Sequence, residues 1–267
     1  MNVLNYRIFL IVLLACNFIA CNQSKSIDLK VMSFNIRHGV GMDNILDLSR
    51  SAKVIKATGP DLCGLQEVDN FCSRSDSVGQ TEFLAKYGSM EGTFGKFMNY
   101  QGGEYGMATL SSKRLLSTKI LNLPDGKHEP RISIVHSVEL VKGAIISFAN
   151  VHFDWIEGEE GDNNRLAQAK TLVAYIDSLN LPAIIIGDFN CTPDSRTMEY
   201  FKHQGFVFAE KGSDNLSFQG KERGEIDHLI YRNTKYLQFN VKAFDLLDQP
   251  IVSDHRPLVV NLDVLFY

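Results

Sequence analysis

The sequence predicts an α/β chain in which two β-sheets pack face to face and helices cover their outer sides. Three observations predict it. Strand-like apolar runs outnumber helical patterns. Several of those runs are apolar on both faces, so each sheet needs cover on both sides. The helical patterns are amphipathic, with one face to bury, which suits the outside of a sheet.

Residues 1–20 differ from the rest. Arg7 is their only charge, and IFLIVLLAC (8–16) is continuously apolar. That run is short for a bilayer span but suits the apolar stretch of an export signal. Phe18-Ile19-Ala20-Cys21 closes it and the polar NQSKS follows, so the segment resembles a bacterial lipoprotein signal. Cys21 is the expected lipidation site, with Cys16 as the competing cysteine; a plain signal peptide or an uncleaved anchor is the other reading. A tether over 21–27 and one domain over 28–267 follow, because no repeat, low-complexity tract or Pro/Gly linker interrupts the chain.

Within that domain, strands are expected at 29–37, 61–68, 136–140, 144–153, 183–189, 225–231 and 256–264. A helix over 45–57 places Ile45, Leu48, Ala52 and Ile55 on one face. A second over 163–179 does so with Leu166, Ala169, Leu172, Val173 and Ile176. Shorter helices are expected near 79–87 and 195–203.

At 45% hydrophobic and 22% charged residues, the 267-residue chain can bury a large core. Without residues 1–20 it carries 26 basic against 31 acidic side chains, a net charge of −5. That balance argues against a nonspecific grip on nucleic acid, where Lys and Arg must neutralise phosphates. Cys63, Cys72 and Cys191 lie beyond the N-terminal segment without CxxC or Cys/His spacing, so a thiolate zinc site is not expected. Cys191 reads as a small packing residue.

The chemistry is concentrated at strand ends. In AIIIGDFNCTPDS (183–195), Asp188 and Asn190 stand two residues apart after a buried run, so both aim to one side. Asn35, Glu67, His152 with Asp154, Asp227, and Asp254 with His255 close or flank other such runs. Singly each has a plain reading, since Asn and Asp form turns at strand ends. Together they make a polar centre that needs a cation. Carboxylate and amide oxygens suit Mg²⁺, Mn²⁺ or Ca²⁺ rather than zinc or copper. A hard cation with histidines nearby is equipment for phosphoryl chemistry.

SFNIRHG, LQEV, NVHFD, GDFN, EIDHLIY and SDHRPL, with YGMATLSSKR and EPRISIV between them, resemble the endonuclease/exonuclease/phosphatase superfamily, DNase I-like, over residues 30–263. The resemblance implies a four-layer α/β/β/α sandwich of two mainly antiparallel sheets flanked by helices. It implies Glu67 as direct metal ligand, assisted by Asn35 and Asp254, with Mg²⁺ or Mn²⁺ as cofactor. His255 would be the base or the phosphate-binding histidine, oriented by Asp227. Asp188 would position the attacking water and Asn190 bind the phosphate. His152 would stabilise the phosphate or protonate the leaving group, and Arg131 would contact phosphate. His228 departs from the apolar or aromatic residue of many relatives and is read as packing. Met107 stands where many sphingomyelinase-like and nuclease members have Asn, which weakens both assignments.

The substrate-choosing loops are expected at 69–80, 98–105, 155–164 and 211–224, with Trp155 and the acidic EGEEGD (157–162) as one wall of the entrance. The expected protein is a metal-dependent phosphoric ester hydrolase, monomeric and lipid-anchored outside the cytoplasm of a bacterial cell envelope. Its substrate would be a small or lipid-derived phosphoester rather than DNA. An extracytoplasmic nuclease and a non-catalytic binding protein on the same fold are the alternatives.

Overall fold

The computed structural model describes residues 25–124, 129–221 and 223–266; the signal segment and Cys21 lie outside them. Its strands are β1 (Lys25–Asn35), β2 (Leu62–Asn70), β3 (Glu91–Tyr100), β4 (Gly103–Ser111), β5 (Arg114–Leu123), β6 (Arg131–Val141), β7 (Ala144–His152), β8 (Ala183–Asp188), β9 (Val207–Phe208), β10 (Asp227–Arg232), β11 (Leu237–Leu246) and β12 (Leu258–Phe266). The α-helices are α1 (Leu48–Thr58), α2 (Gln80–Gly88), α3 (Gly158–Leu179) and α4 (Arg196–His203).

The doubly apolar strands explain the layering. In β1, Leu29 and Val31 join the core between the sheets, while Met32 and Phe34 pack beneath α1 and α2. In β8, Ile184 and Ile186 face the inter-sheet core, and Ala183 and Ile185 face α3 and α4. One sheet has the order β11-β12-β1-β2-β4-β3 and the other β5-β6-β7-β8-β10-β9. Only β1–β2 and β7–β8 pair in parallel, so both sheets are mixed but mainly antiparallel, as expected. Each parallel step needs a crossover, which α1 and α3 supply. Asp47 caps α1 by accepting from the Ser49 N–H at 3.0 Å, and Gly59 ends it at φ 57°.

This topology gathers the site. The carboxyl ends of β1, β2, β7 and β8 lie at one end of the sandwich, and antiparallel β10 begins there. His152 pairs with Asp188 across β7–β8, and Asp188 with Asp227 across β8–β10. A register shift between Leu65 and Val68, with Glu67 at φ 54°, marks a bulge that re-aims the Glu67 side chain. Beneath it, Asn150 ties the sheets together. Its amide donates to the carbonyls of Leu65 (3.2 Å) and Ala108 (2.8 Å) and accepts from Gln66 Nε2 (2.7 Å).

Two expectations need correction. Strands β3, β4, β5, β9 and β11 lie outside those expected from the sequence: β3, β5 and β11 are sheet edges with polar residues in place of a continuous apolar run, β9 has two residues, and β4 is an inner strand whose apolar run is broken by Gly103, Glu104, Gly106 and Thr109. The acidic stretch 157–162 is not a free loop. Glu157 is the residue just before α3, and residues from Gly158 onward are its first turns, with Asp162 paired to Arg165 at 2.5 Å. Acidic residues suit that helix end.

Candidate active site

The strand ends form a cleft of about 400 Å³ lined by Glu67, His152, Asp188, Asn190, Asp254 and His255, together with Arg131, Glu129 and the apolar or aromatic Tyr105, Trp155, Phe218 and Ile226. Asn35 and Asp227 lie directly beneath, each bonded to a lining residue. Of the residues expected at the polar centre, Asn35, Glu67, Arg131, His152, Asp188, Asn190, Asp227, Asp254 and His255 are brought together, whereas Asp154 turns away and bonds Ile156 and Asn164.

The most buried part is a chain of acids and histidines. His255 Nδ1 and Asp227 Oδ2 are 2.7 Å apart, and His255 Nε2 is 3.6 Å from Asp188 Oδ2. Burial disfavours a charged imidazole, but the Asp227 and Asp188 carboxylates outweigh it and raise His255 to about 10. His255 thus carries a positive charge at neutral pH. Of the two roles expected for it, the charge suits phosphate binding and not proton abstraction. Asp188 is the group poised near neutrality. Burial raises its carboxyl to about 7, with Asp227 adding to the rise and His255 opposing it. Its Oδ1 accepts the Asn190 N–H at 2.9 Å, and its Oδ2 faces Asn35 Nδ2 at 3.2 Å and His152 Nε2 at 3.5 Å.

His152 stays neutral. Burial, and then the charge of Arg131, lower it to about 3. In that state it can donate a hydrogen bond to a phosphate oxygen, the first of its two expected roles. Its Nδ1 is buried without a hydrogen-bond partner among the described residues, as are Nε and Nη1 of Arg131. Arg131, the first residue of β6, is only 2% exposed, stacks over Phe97 at 5.1 Å and pairs through Nη2 with Glu129 Oε2 at 3.1 Å. A buried guanidinium with donors to spare is an anion site. Asn190 lines the cleft at φ 50° and donates through Nδ2 to the Phe153 carbonyl at 3.0 Å.

The donor set fits a hard cation. Glu67, Glu129, Asp188 and Asp254 line the cleft and Asp227 lies below. Among the described residues, cations facing these acids include Arg37, 3.4 Å from Asp254, Arg131, His255 and Lys211, whose Nζ donates to the Asp227 carbonyl at 2.6 Å. Burial first, and the like charge of Glu67, raise the Asp254 carboxyl despite His255. Burial works against the Glu67 charge, yet His38 and the Asn35 amide help hold its carboxyl down at about 2. Oxygen ligands of this kind suit Mg²⁺ or Mn²⁺. Asp188, Asp227 and His255 also cluster, with ligand atoms within 4.8 Å of one another, but Asp227 and His255 already satisfy each other. Asn35 meets the acids with its donor side: Nδ2 bonds Glu67 Oε1 at 3.0 Å while Oδ1 accepts from the Arg37 N–H at 3.1 Å. In this arrangement it orients Glu67.

His228 lies outside the cleft, bonded to the Cys191 carbonyl and to Lys211 Nζ, each at 2.9 Å. Cys191 is buried, which pushes its thiol up to about 11 and fits a packing role. Sequence reasoning did not single out Tyr105, Glu129, Phe218 or Lys211. Tyr105 and Glu129 sit inside the motifs YGMATLSSKR and EPRISIV; Phe218, 5.0 Å from the His255 ring, carried no signal.

A family model described as Endonuclease/Exonuclease/phosphatase family matches residues 32–255, and the chain belongs to that family. Members are hydrolases acting on phosphoesters. Solved structures share the fold. An endonuclease/exonuclease/phosphatase from Beutenbergia cavernae DSM 12333 aligns with a TM-score of 0.76 at 18% identity, over 88% of this chain and 71% of that one. The mannosyl-6-phosphatase Bt3783 of Bacteroides thetaiotaomicron VPI-5482 gives 0.68 at 21%, over 88% and 99%. The human Nocturnin catalytic domain, solved with bound sulfate, gives 0.69 at 22%, over 92% and 98%. No curated protein matches the chain.

Proposed function

We propose that the protein is a divalent-metal-dependent phosphoesterase that hydrolyses a small phosphoester by direct attack of water. The observation that carries this is the convergence of the Asp227–His255–Asp188 chain and the unpaired donors of Arg131 on one cleft. Arg131 and protonated His255 hold the phosphate oxygens, with neutral His152 donating a further hydrogen bond. Asp188 takes a proton from water as the water oxygen bonds to phosphorus. The ester P–O bond then breaks, and the leaving oxygen takes a proton from solvent in the open cleft. Glu67 and Asp254, with Asn35 orienting Glu67, would hold Mg²⁺ or Mn²⁺. When bound, that ion polarises a phosphoryl oxygen and offsets charge on the leaving oxygen.

Export and lipid anchoring at Cys21 belong to the same proposal. They rest on the apolar run 8–16, the cysteine after it and the polar tether. Among the described residues no helix is long and apolar enough to cross a membrane. The deciding experiment is a metal-dependent turnover assay on a panel containing a sugar phosphate, a chromogenic phosphodiester, a choline phospholipid and plasmid DNA. Turnover of a small ester that chelation abolishes supports the proposal; DNA as the preferred substrate favours the nuclease; no turnover of any member leaves a binding protein.

A further inference from the structure

Half of the cleft is not used by the phosphate chemistry. Trp155, the chain's single tryptophan, lines it beside the phosphate groups yet remains 53% exposed. The backbone on both sides of it is fixed. Asp154 accepts from the Ile156 N–H (3.0 Å) and from Asn164 Nδ2 (2.7 Å), and its own N–H donates to Gln168 Oε1 (3.0 Å). Arg165 Nη1 donates to the carbonyls of Asp154 (2.9 Å) and Ile156 (2.8 Å). Asp154, Arg165 and Gln168 are buried. This network touches none of the reacting groups; its effect is to present an indole on a rigid mount. Glu129 lines the same cleft, and a carboxylate that pairs with Arg131 through one oxygen keeps acceptor capacity on the other.

Building on the phosphoesterase reading above, we propose that the leaving group is a monosaccharide ring, its C–H face laid on the Trp155 indole and its hydroxyls donating to Glu129. A rigid aromatic surface contributes contact area at little entropy cost, and carboxylates accept from hydroxyls. Glu157 and Glu159 stand close to Trp155 in sequence, so this side repels the further phosphates of a nucleic-acid strand. The cleft volume of about 400 Å³ is at the low end for small-molecule pockets, room for one ring beside a phosphate.

Two measurements test it. In the first, kcat/KM with Mg²⁺ is compared for a hexose 6-phosphate and for glycerol phosphate, in wild type and Trp155→Ala. The variant should lose about tenfold on the hexose ester, on the order of 1.4 kcal/mol, and change less than about twofold on glycerol phosphate; Trp155→Phe should recover most of the loss. Equal loss on both esters, or none on either, overturns the proposal. The second uses the single tryptophan as its own reporter in the Asp188→Asn variant. Hexose 6-phosphate should shift its emission, and inorganic phosphate and glycerol phosphate should not. Silence with the hexose ester, or a larger shift and faster turnover with adenosine 5′-phosphate, overturns it. If no ester is turned over, the phosphoesterase reading fails by itself, and the emission titration still decides whether the ring site exists.

Discussion

Replacing Asp227 by Asn tests the central geometry, because it removes one charge and keeps the shape. Asp227 is 2% exposed and lies 2.7 Å from His255 Nδ1. Its charge is the largest of the effects that raise His255 from 6.5 to about 10. Without it, burial of the ring counts for more, and the imidazole should titrate far closer to its ordinary value. At pH 8 the wild-type His255 is protonated; in Asp227→Asn it should be largely neutral and free to turn to the wrong tautomer. Loss of the charge and of the orientation together should lower kcat by about 10²- to 10⁴-fold, the range for removing an acid that fixes a catalytic histidine.

The pH–rate profile separates this cause from simple damage. Wild type needs Asp188 ionised and His255 protonated. Its activity should fall as pH drops through about 7 and again as pH rises through about 10. In Asp227→Asn the alkaline limb should move down by more than about one unit. The sign carries over to stability: His255 is raised on folding, so its contribution is fully present below 6.5 and is lost as pH rises through about 10. Urea unfolding of metal-free wild type should weaken across that window by on the order of a few kcal/mol, and the variant much less. Mg²⁺ binding by calorimetry should survive, because Glu67 and Asp254 are untouched. An unmoved alkaline limb, with the same urea profile as wild type, would refute the assigned charge on His255.

Glu67→Gln should lower turnover by several orders of magnitude, the scale of losing metal-ion catalysis, while circular dichroism stays native; wild-type turnover at ordinary Mg²⁺ would remove Glu67 from the site. Gly187→Ala should both unfold more easily and lose activity, because Gly187 sits at φ 150° and a Cβ there would run into the Val151 carbonyl beside Asp188; a thermal midpoint and kcat equal to wild type would show that the β7–β8 packing yields without moving Asp188. Cys21→Ser should leave the protein out of the membrane fraction and unacylated, as mass spectrometry would show; acylation that persists in Cys21→Ser and vanishes in Cys16→Ser would reassign the anchor.

What the sequence discloses, and what it withholds, follows from where each residue's information resides. Asn35, Glu67, His152, Asp188 and Asp227 are legible because each ends or begins a run apolar on both faces, and such runs can only be inner strands. Once β1–β2 and β7–β8 pair in parallel, their carboxyl ends must share one end of the sandwich. Strands β3, β5 and β11 escape because solvent on one side permits polar residues such as Lys119, Asn122 and Lys242, which erase the apolar run. Residue type also predicts ligands better than protons. A histidine beside an aspartate reads as a base, but two carboxylates around one buried ring hold it well above its ordinary value, while burial brings the Asp188 carboxyl near neutrality, which is why the proposed mechanism gives Asp188 the proton from water. His152, an equally buried histidine in the same cleft, goes the opposite way because burial, and then the charge of Arg131, outweigh the pull of Glu67. The two histidines have identical side chains, so the division of labour between them is set by the charges that the two sheets bring to each ring, and those become visible only when the sheets are assembled.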